Sequence, residues 1–104
     1  MKPIQDARTQ VELEPEIALE EPPLYQVMMF NDDFTAMDFV VQVLQEVFGM
    51  DSVRAGQVML EIHNLGQAIC GVYPREVAEM KVSETMKMAA VYDYPLRCVF
   101  ELAI

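Results

Sequence analysis

The sequence predicts an α+β fold: a small three-stranded antiparallel sheet with three helices packed on one face, in the order β-α-α-β-α-β. Two observations carry this expectation. Three short runs rich in β-branched, aromatic and apolar residues alternate with segments whose apolar residues recur at three- and four-residue spacing. The helical segments are also too few to cover both faces of a sheet, which points away from a doubly wound α/β architecture.

Residues 1–23 read differently from the rest. They carry Asp6, Glu12, Glu14, Glu16, Glu20 and Glu21, have no aromatic residue and end at Pro22-Pro23. Scattered apolar residues among so many acids predict a flexible acidic tail. The folded domain is expected over 24–104.

The first strand is Leu24-Tyr25-Gln26-Val27-Met28-Met29-Phe30, an apolar run interrupted only by Gln26 and stopped by Asn31-Asp32-Asp33. Thr35 followed by Asp38 has the spacing of a capping box and predicts a helix start there. Val40, Val43, Leu44, Val47 and Phe48 form that helix's apolar stripe, and Gly49 ends it. Asp51-Ser52 is expected to cap a second helix with inner face Ala55, Val58, Met59 and Ile62, closed by Gly66 as a positive-φ residue. The second strand reads Ala68–Tyr73. Pro74 suits the first position of a third helix, with Glu76 and Glu79 near its positive end and Ala78, Val82, Thr85, Met86 and Ala89 facing inward. Leu96–Leu102 alternates as the third strand.

Composition narrows the function. The net charge is -10, from 17 acids and 7 bases, with no Lys/Arg cluster, so binding to nucleic acid by phosphate neutralisation is not expected. An anionic membrane surface would repel the chain, and no apolar run is long enough to span a bilayer. The N-terminal MKPIQDARTQ does not resemble a secretory signal, so a cytoplasmic location is expected. Cys70 and Cys98 lack CxxC spacing and sit in strand-like runs. Burial as small hydrophobes explains them, with a redox or metal role as the alternative.

Three features have chemical potential. Asn31-Asp32-Asp33 concentrates acceptors without a local base, which suits an ammonium group; an ordinary polar turn explains it equally. His63, the only histidine, follows Met59 by four residues and so projects from the same side of the second helix. It is either a solvated helical residue or a nitrogen at a pocket edge. Nine methionines complete the set; most belong in a core, but the side chain also lines surfaces that accept varied apolar groups. Met29, Met37 and Met59 fall near the acidic turn or His63. Catalysis is not expected: no nucleophile stands in a motif, no Gly-rich phosphate loop is present, and His63 lacks the partners a zinc site needs. No cofactor or metal is expected.

Several blocks together resemble the ClpS adaptor family. These are Tyr25-Gln26-Val27, Asn31-Asp32-Asp33-Phe34-Thr35-x-Met37-Asp38-Phe39-Val40, Met59-Leu60-x-x-His63, Cys70-Gly71-Val72-Tyr73, Glu76-Val77-Ala78-Glu79-x-Lys81-Val82 and Pro95-Leu96-x-Cys98. The similarity runs from about Tyr25 to Glu101. It implies a monomeric adaptor that recognises N-degrons beginning with Leu, Phe, Tyr or Trp and delivers them to a ClpA- or ClpC-type unfoldase. It also implies that Asn31, Asp32 and His63 hold the substrate α-amine, that Met29, Thr35, Met37, Val40, Met59, Ile62 and Leu96 line the side-chain pocket, and that Glu76 and Lys81 face the unfoldase N-terminal domain. Ala36 and Phe34 depart from the Pro and Tyr common in the family, and Asn64-Leu65 is an unusual pair after His63. The competing expectation is a non-catalytic interaction module of similar fold, like the C-terminal domain of the ribosomal stalk protein, which ignores free N-termini. A small hydrolase using Asp32 and His63 is the weakest alternative.

Overall fold

The computed structural model describes residues 22–104, so the expected acidic tail lies, apart from Pro22 and Pro23, outside the described residues. Strand β1 (Leu24–Phe30), helices α1 (Met37–Glu46) and α2 (Ser52–Leu65), strand β2 (Gln67–Pro74), helix α3 (Arg75–Val91) and strand β3 (Arg97–Leu102) follow in the expected order. The sheet runs β2-β1-β3, antiparallel throughout, which puts the most apolar strand in the centre.

Strand alternation divides β1 between two faces. Val27 and Met29 are fully buried on the helix-covered face, where Val43 and Leu44 of α1 and Val58 of α2 are also fully buried. Burial of each such side chain contributes roughly 2–3 kcal/mol before entropy is counted. The other face bears Gln26, Met28 and Phe30. Gln26 Nε2 donates to Glu101 across the strand pair at 2.8 Å, and the Arg97 guanidinium lies 4.6 Å from the Phe30 ring centroid. A bulge interrupts the β1–β2 ladder: Val27 opposes Gly71 but Met28 opposes Ile69, leaving Cys70 without a partner. The extra residue turns both Cys70 and Gly71 inward, and the Tyr73 ring folds over Gly71 where a Cβ would collide with it.

Several element ends differ from expectation. Thr35 does not cap α1: the N-cap is Ala36 and makes no side-chain cap bond, because the Thr35 hydroxyl is drawn back to Asp32. Pro74 is the last residue of β2 and the N-cap of α3, since it still pairs with Leu24. Strand β2 is longer than read by one residue at each end, and β3 begins at Arg97. Met86 is not on the inner face of α3; it is 41% exposed, being turned about 100° from the buried Thr85. Val47 and Phe48 lie just past α1, whose end is closed by Lys81 Nζ donating to the Val47 carbonyl at 2.8 Å. The Asp51 cap on Arg54 N–H (2.8 Å) and the positive φ of Gly66 (92°) are as read from the sequence.

Candidate functional site

The loop after β1 is built around one carboxylate. Asp32 Oδ1 accepts the backbone N–H groups of Phe34 (2.8 Å) and Thr35 (2.7 Å), and Oδ2 accepts the Thr35 hydroxyl (2.7 Å). Partial burial works to raise the Asp32 pKa, but the Thr35 hydroxyl and the two amides outweigh it, so the carboxyl is held below its ordinary value. Asp32 is therefore an anion at neutral pH, and the lone-pair capacity of two oxygens is not exhausted by three bonds.

A long-range contact brings this loop to α2. The Asn31 N–H donates to the Gly66 carbonyl at 2.9 Å. Gly66 is the left-handed C-cap of α2, and His63 lies in the last turn of that helix. One backbone bond thus joins the strand end that carries the acceptors to the helix end that carries the imidazole.

Asn31, Asp32, Thr35, Met37, Val40, Met59, Ile62, His63 and Leu96 surround one cavity. Its apolar wall comes from α1 (Met37, Val40), α2 (Met59, Ile62) and the approach to β3 (Leu96); its rim is Asn31, Asp32, Thr35 and His63. The open space is small, about 20 Å³. That holds a water molecule but not a Leu or Phe side chain. Met59 is half-buried and Met37 is 45% exposed, so both unbranched side chains have room to swing aside.

One expected residue is absent from this lining. Met29 is fully buried in the core beneath, because alternation along β1 aims it at the helix layer. Its neighbour Phe30, which the sequence reading passed over, touches the cavity instead. Immediate adjacency to Asn31 was the available signal. Glu76 is exposed in the first turn of α3, away from the cavity, whereas Lys81 is half-buried, reaching Val47 and lying 5.7 Å from the Tyr73 ring centroid.

Cys70 and Cys98 are both free and buried. Burial, with lesser pushes from Cys98 and Glu61, raises the Cys70 thiol to about 12. Burial also raises Cys98 to about 11, with the neighbouring Thr85 hydroxyl pulling the other way. Neither is a nucleophile near neutrality. Among the described residues no group of three or more His, Cys, Asp or Glu is arranged to hold a metal ion, and no helix is long and apolar enough to cross a membrane.

Comparison with known families gives a match over residues 20–99 to the family described as ATP-dependent Clp protease adaptor protein ClpS. The chain belongs to the ClpS family. An ATP-dependent Clp protease adapter protein ClpS from Aromatoleum aromaticum is 52% identical over 80 residues, covering 77% of this chain and 78% of the relative. A ClpS from Xanthomonas campestris pv. campestris is 51% identical over 89 residues, covering 86% of this chain and 82% of the relative. Among solved structures, Agrobacterium tumefaciens ClpS2 bound to L-phenylalaninamide superposes with a TM-score of 0.77 at 36% identity, covering 80% of this chain and all (100%) of that one. The ClpS membership and the three-helix, three-strand topology agree with the expectation drawn from the sequence blocks.

Proposed function

We propose that this ClpS chain binds N-degron substrates through a bulky N-terminal residue and its free α-amine, and delivers them to a ClpA- or ClpC-type unfoldase. The observation that carries the reading is the convergence of Asn31, Asp32 and His63 on the rim of an otherwise apolar cavity. An α-ammonium is a donor-only cation. Asn31 offers a carbonyl oxygen, Asp32 a carboxylate anchored by its own loop, and His63 a ring nitrogen. An internal peptide amide has one N–H and no charge, so the rim rejects it.

The apolar wall supplies the second requirement. Burying a Leu or Phe side chain there is worth roughly 2–3 kcal/mol once Met37 and Met59 have moved. Met59 is the gate: a β-branched Ile or Val would crowd it, while Leu, Phe, Tyr and Trp present an unbranched Cβ. The Agrobacterium relative supports the assignment, since L-phenylalaninamide combines a free α-amine with a benzyl side chain. For delivery, exposed Glu76 and the ammonium of Lys81 on α3 form the face offered to the unfoldase N-terminal domain. The chemistry required is capture and transfer, without bond breaking.

A titration tests the first half. A peptide beginning with Phe should bind, and the same peptide acetylated at its N-terminus should not. Equal affinity for both would favour the interaction module that ignores free N-termini.

A further inference from the structure

A second recess lies on the side of α1 opposite the first cavity, lined by Asp38, Phe39, Gln42, Tyr92 and Tyr94. Its open space is about 160 Å³, far more than the cavity described above, and its walls are aromatic with polar tips. Phe39 is buried at its base and meets Tyr92 edge-on at 5.3 Å and Tyr94 at 4.9 Å between centroids. Tyr92 and Tyr94 lie nearly parallel, 24° apart at 6.0 Å. Tyr92 is 55% exposed, so the cluster presents ring surface to solvent.

Charge distinguishes this cluster from the chain's other paired rings. Arg75 covers Tyr25 and Phe100, each at 5.8 Å, so the Tyr25–Phe100 pair already carries a cation of the protein itself. Lys81 and Arg97 similarly cover Tyr73 and Phe30. Among the described residues, no Lys or Arg stacks on Phe39, Tyr92 or Tyr94; the charged group lining their recess is the Asp38 carboxylate. The amide nitrogen of Gln42 is committed to Glu46 at 3.0 Å, which leaves the Gln42 carbonyl oxygen as an acceptor. Ring faces, a carboxylate and a carbonyl, on a chain of net charge -10, are complementary to a cation and to little else.

We propose that this recess binds the ammonium or guanidinium of a Lys or Arg side chain a few residues downstream of a substrate's N-terminal residue. This rests on the reading of the first cavity as the N-terminal site. The two sites share α1, through Met37 and Val40 on one side and Asp38, Phe39 and Gln42 on the other, and Leu96 follows Tyr94 by two residues. An extended peptide advances about 3.3–3.6 Å per residue and an α-helix is about 10 Å across, so a chain leaving the first cavity and passing round α1 brings a long basic side chain to the second within a few positions. The recess thereby ranks N-degrons of equal N-terminal residue by the charge of their next few side chains.

The test is a positional scan. Phe-initiated alanine peptides carrying one Arg at each of the positions after Phe are titrated against the wild-type chain and against Tyr92→Leu, Asp38→Asn and Glu84→Gln. Arg at one or two positions should strengthen binding about threefold to tenfold over the Arg-free peptide. Tyr92→Leu and Asp38→Asn should remove that gain while leaving the Arg-free peptide unaffected. Glu84→Gln removes the same charge from the exposed side of α3 and should preserve it. A gain absent at every position, retained in both recess variants, or lost equally in Glu84→Gln overturns the proposal. A second arm titrates N-acetyl-arginine amide, which has no free α-amine, and follows the Tyr92 and Tyr94 ring resonances. Shifts confined to those rings support the recess even if the Arg-free Phe peptide fails to bind, an outcome that would sink only the N-terminal reading; absence of shifts overturns the recess itself.

Discussion

The Asn31 N–H and the Gly66 carbonyl meet at 2.9 Å, and this bond holds the acceptor loop against the end of α2. Gly66 has a φ of 92°, and a Cβ built there meets nothing within 4 Å. Gly66→Ala therefore tests backbone strain alone. We expect a loss of about 1 kcal/mol of stability in urea denaturation. Peptide affinity should fall beyond that, because the cap that relaxes also carries His63. Unchanged affinity in a destabilised variant would show that the bond does not position the site.

Asp32→Ala should nearly abolish binding of a Phe-initiated peptide, whereas Asp38→Ala should leave Arg-free peptides bound and cost mainly helix stability. Thr35→Val isolates the hydroxyl that Asp32 accepts at 2.7 Å. Its removal should raise the Asp32 pKa towards the ordinary aspartate range, read by NMR titration of the carboxyl carbon. The native carboxyl is depressed, so its contribution to folding is present above the unfolded pKa and is lost as pH falls through the folded one. In Thr35→Val that loss should move to higher pH.

The two cysteines predict behaviour at high pH. Their thiols are raised to about 12 and about 11, so the unfolded chain releases these protons first. Stability is unaffected below the unfolded thiol pKa, near 8.5, and falls as pH rises from there towards the folded values. Native alkylation by iodoacetamide should stay slow at pH 8–9, and a Cys70→Ala, Cys98→Ala chain should show a flatter loss of stability at pH 9–11.

Thr85 is fully buried, and its hydroxyl has no hydrogen-bond partner among the described residues. Thr85→Val keeps the shape and removes the desolvated hydroxyl. Thermal denaturation should show stability unchanged or raised by up to about 1 kcal/mol.

Glu76 and Lys81 should separate by what else they touch. Glu76 is exposed, so Glu76→Ala should change stability by less than about 0.5 kcal/mol while weakening association with an unfoldase N-terminal domain. Lys81→Ala also removes the bond to Val47, so it should cost about 1–2 kcal/mol of stability as well as association. Parallel denaturation and binding curves distinguish a docking loss from a folding loss.

Much of the fold was legible because its signals are local: the apolar run of β1, the stripes of α1 and α2, the Asp51 cap and Gly66. The misread positions had competing partners at short range. Thr35 had two candidate roles, and Asp32, three residues back, took its hydroxyl before the helix start did. Pro74 satisfied the strand and the helix boundary together. Candidate residues could be named singly but not assembled, since the meeting of Asn31 with Gly66 spans 35 residues and depends on β2 pairing beside β1. Met29 went to the core rather than the pocket because sheet alternation, rather than nearness in sequence, decides which side chain enters the core.

The pairing of Leu24 with Pro74 and of Phe30 with Gln67 gives the sheet two poles. At one pole Pro23 leads into β1 and α3 begins at Arg75, with Glu76 in its first turn; at the other lies the rim of Asn31 and Asp32. Six strand steps separate them, about 20 Å. Under the function proposed above, cargo and carrier would grip opposite poles at once without competing for surface, with β1 as the strut that keeps them apart.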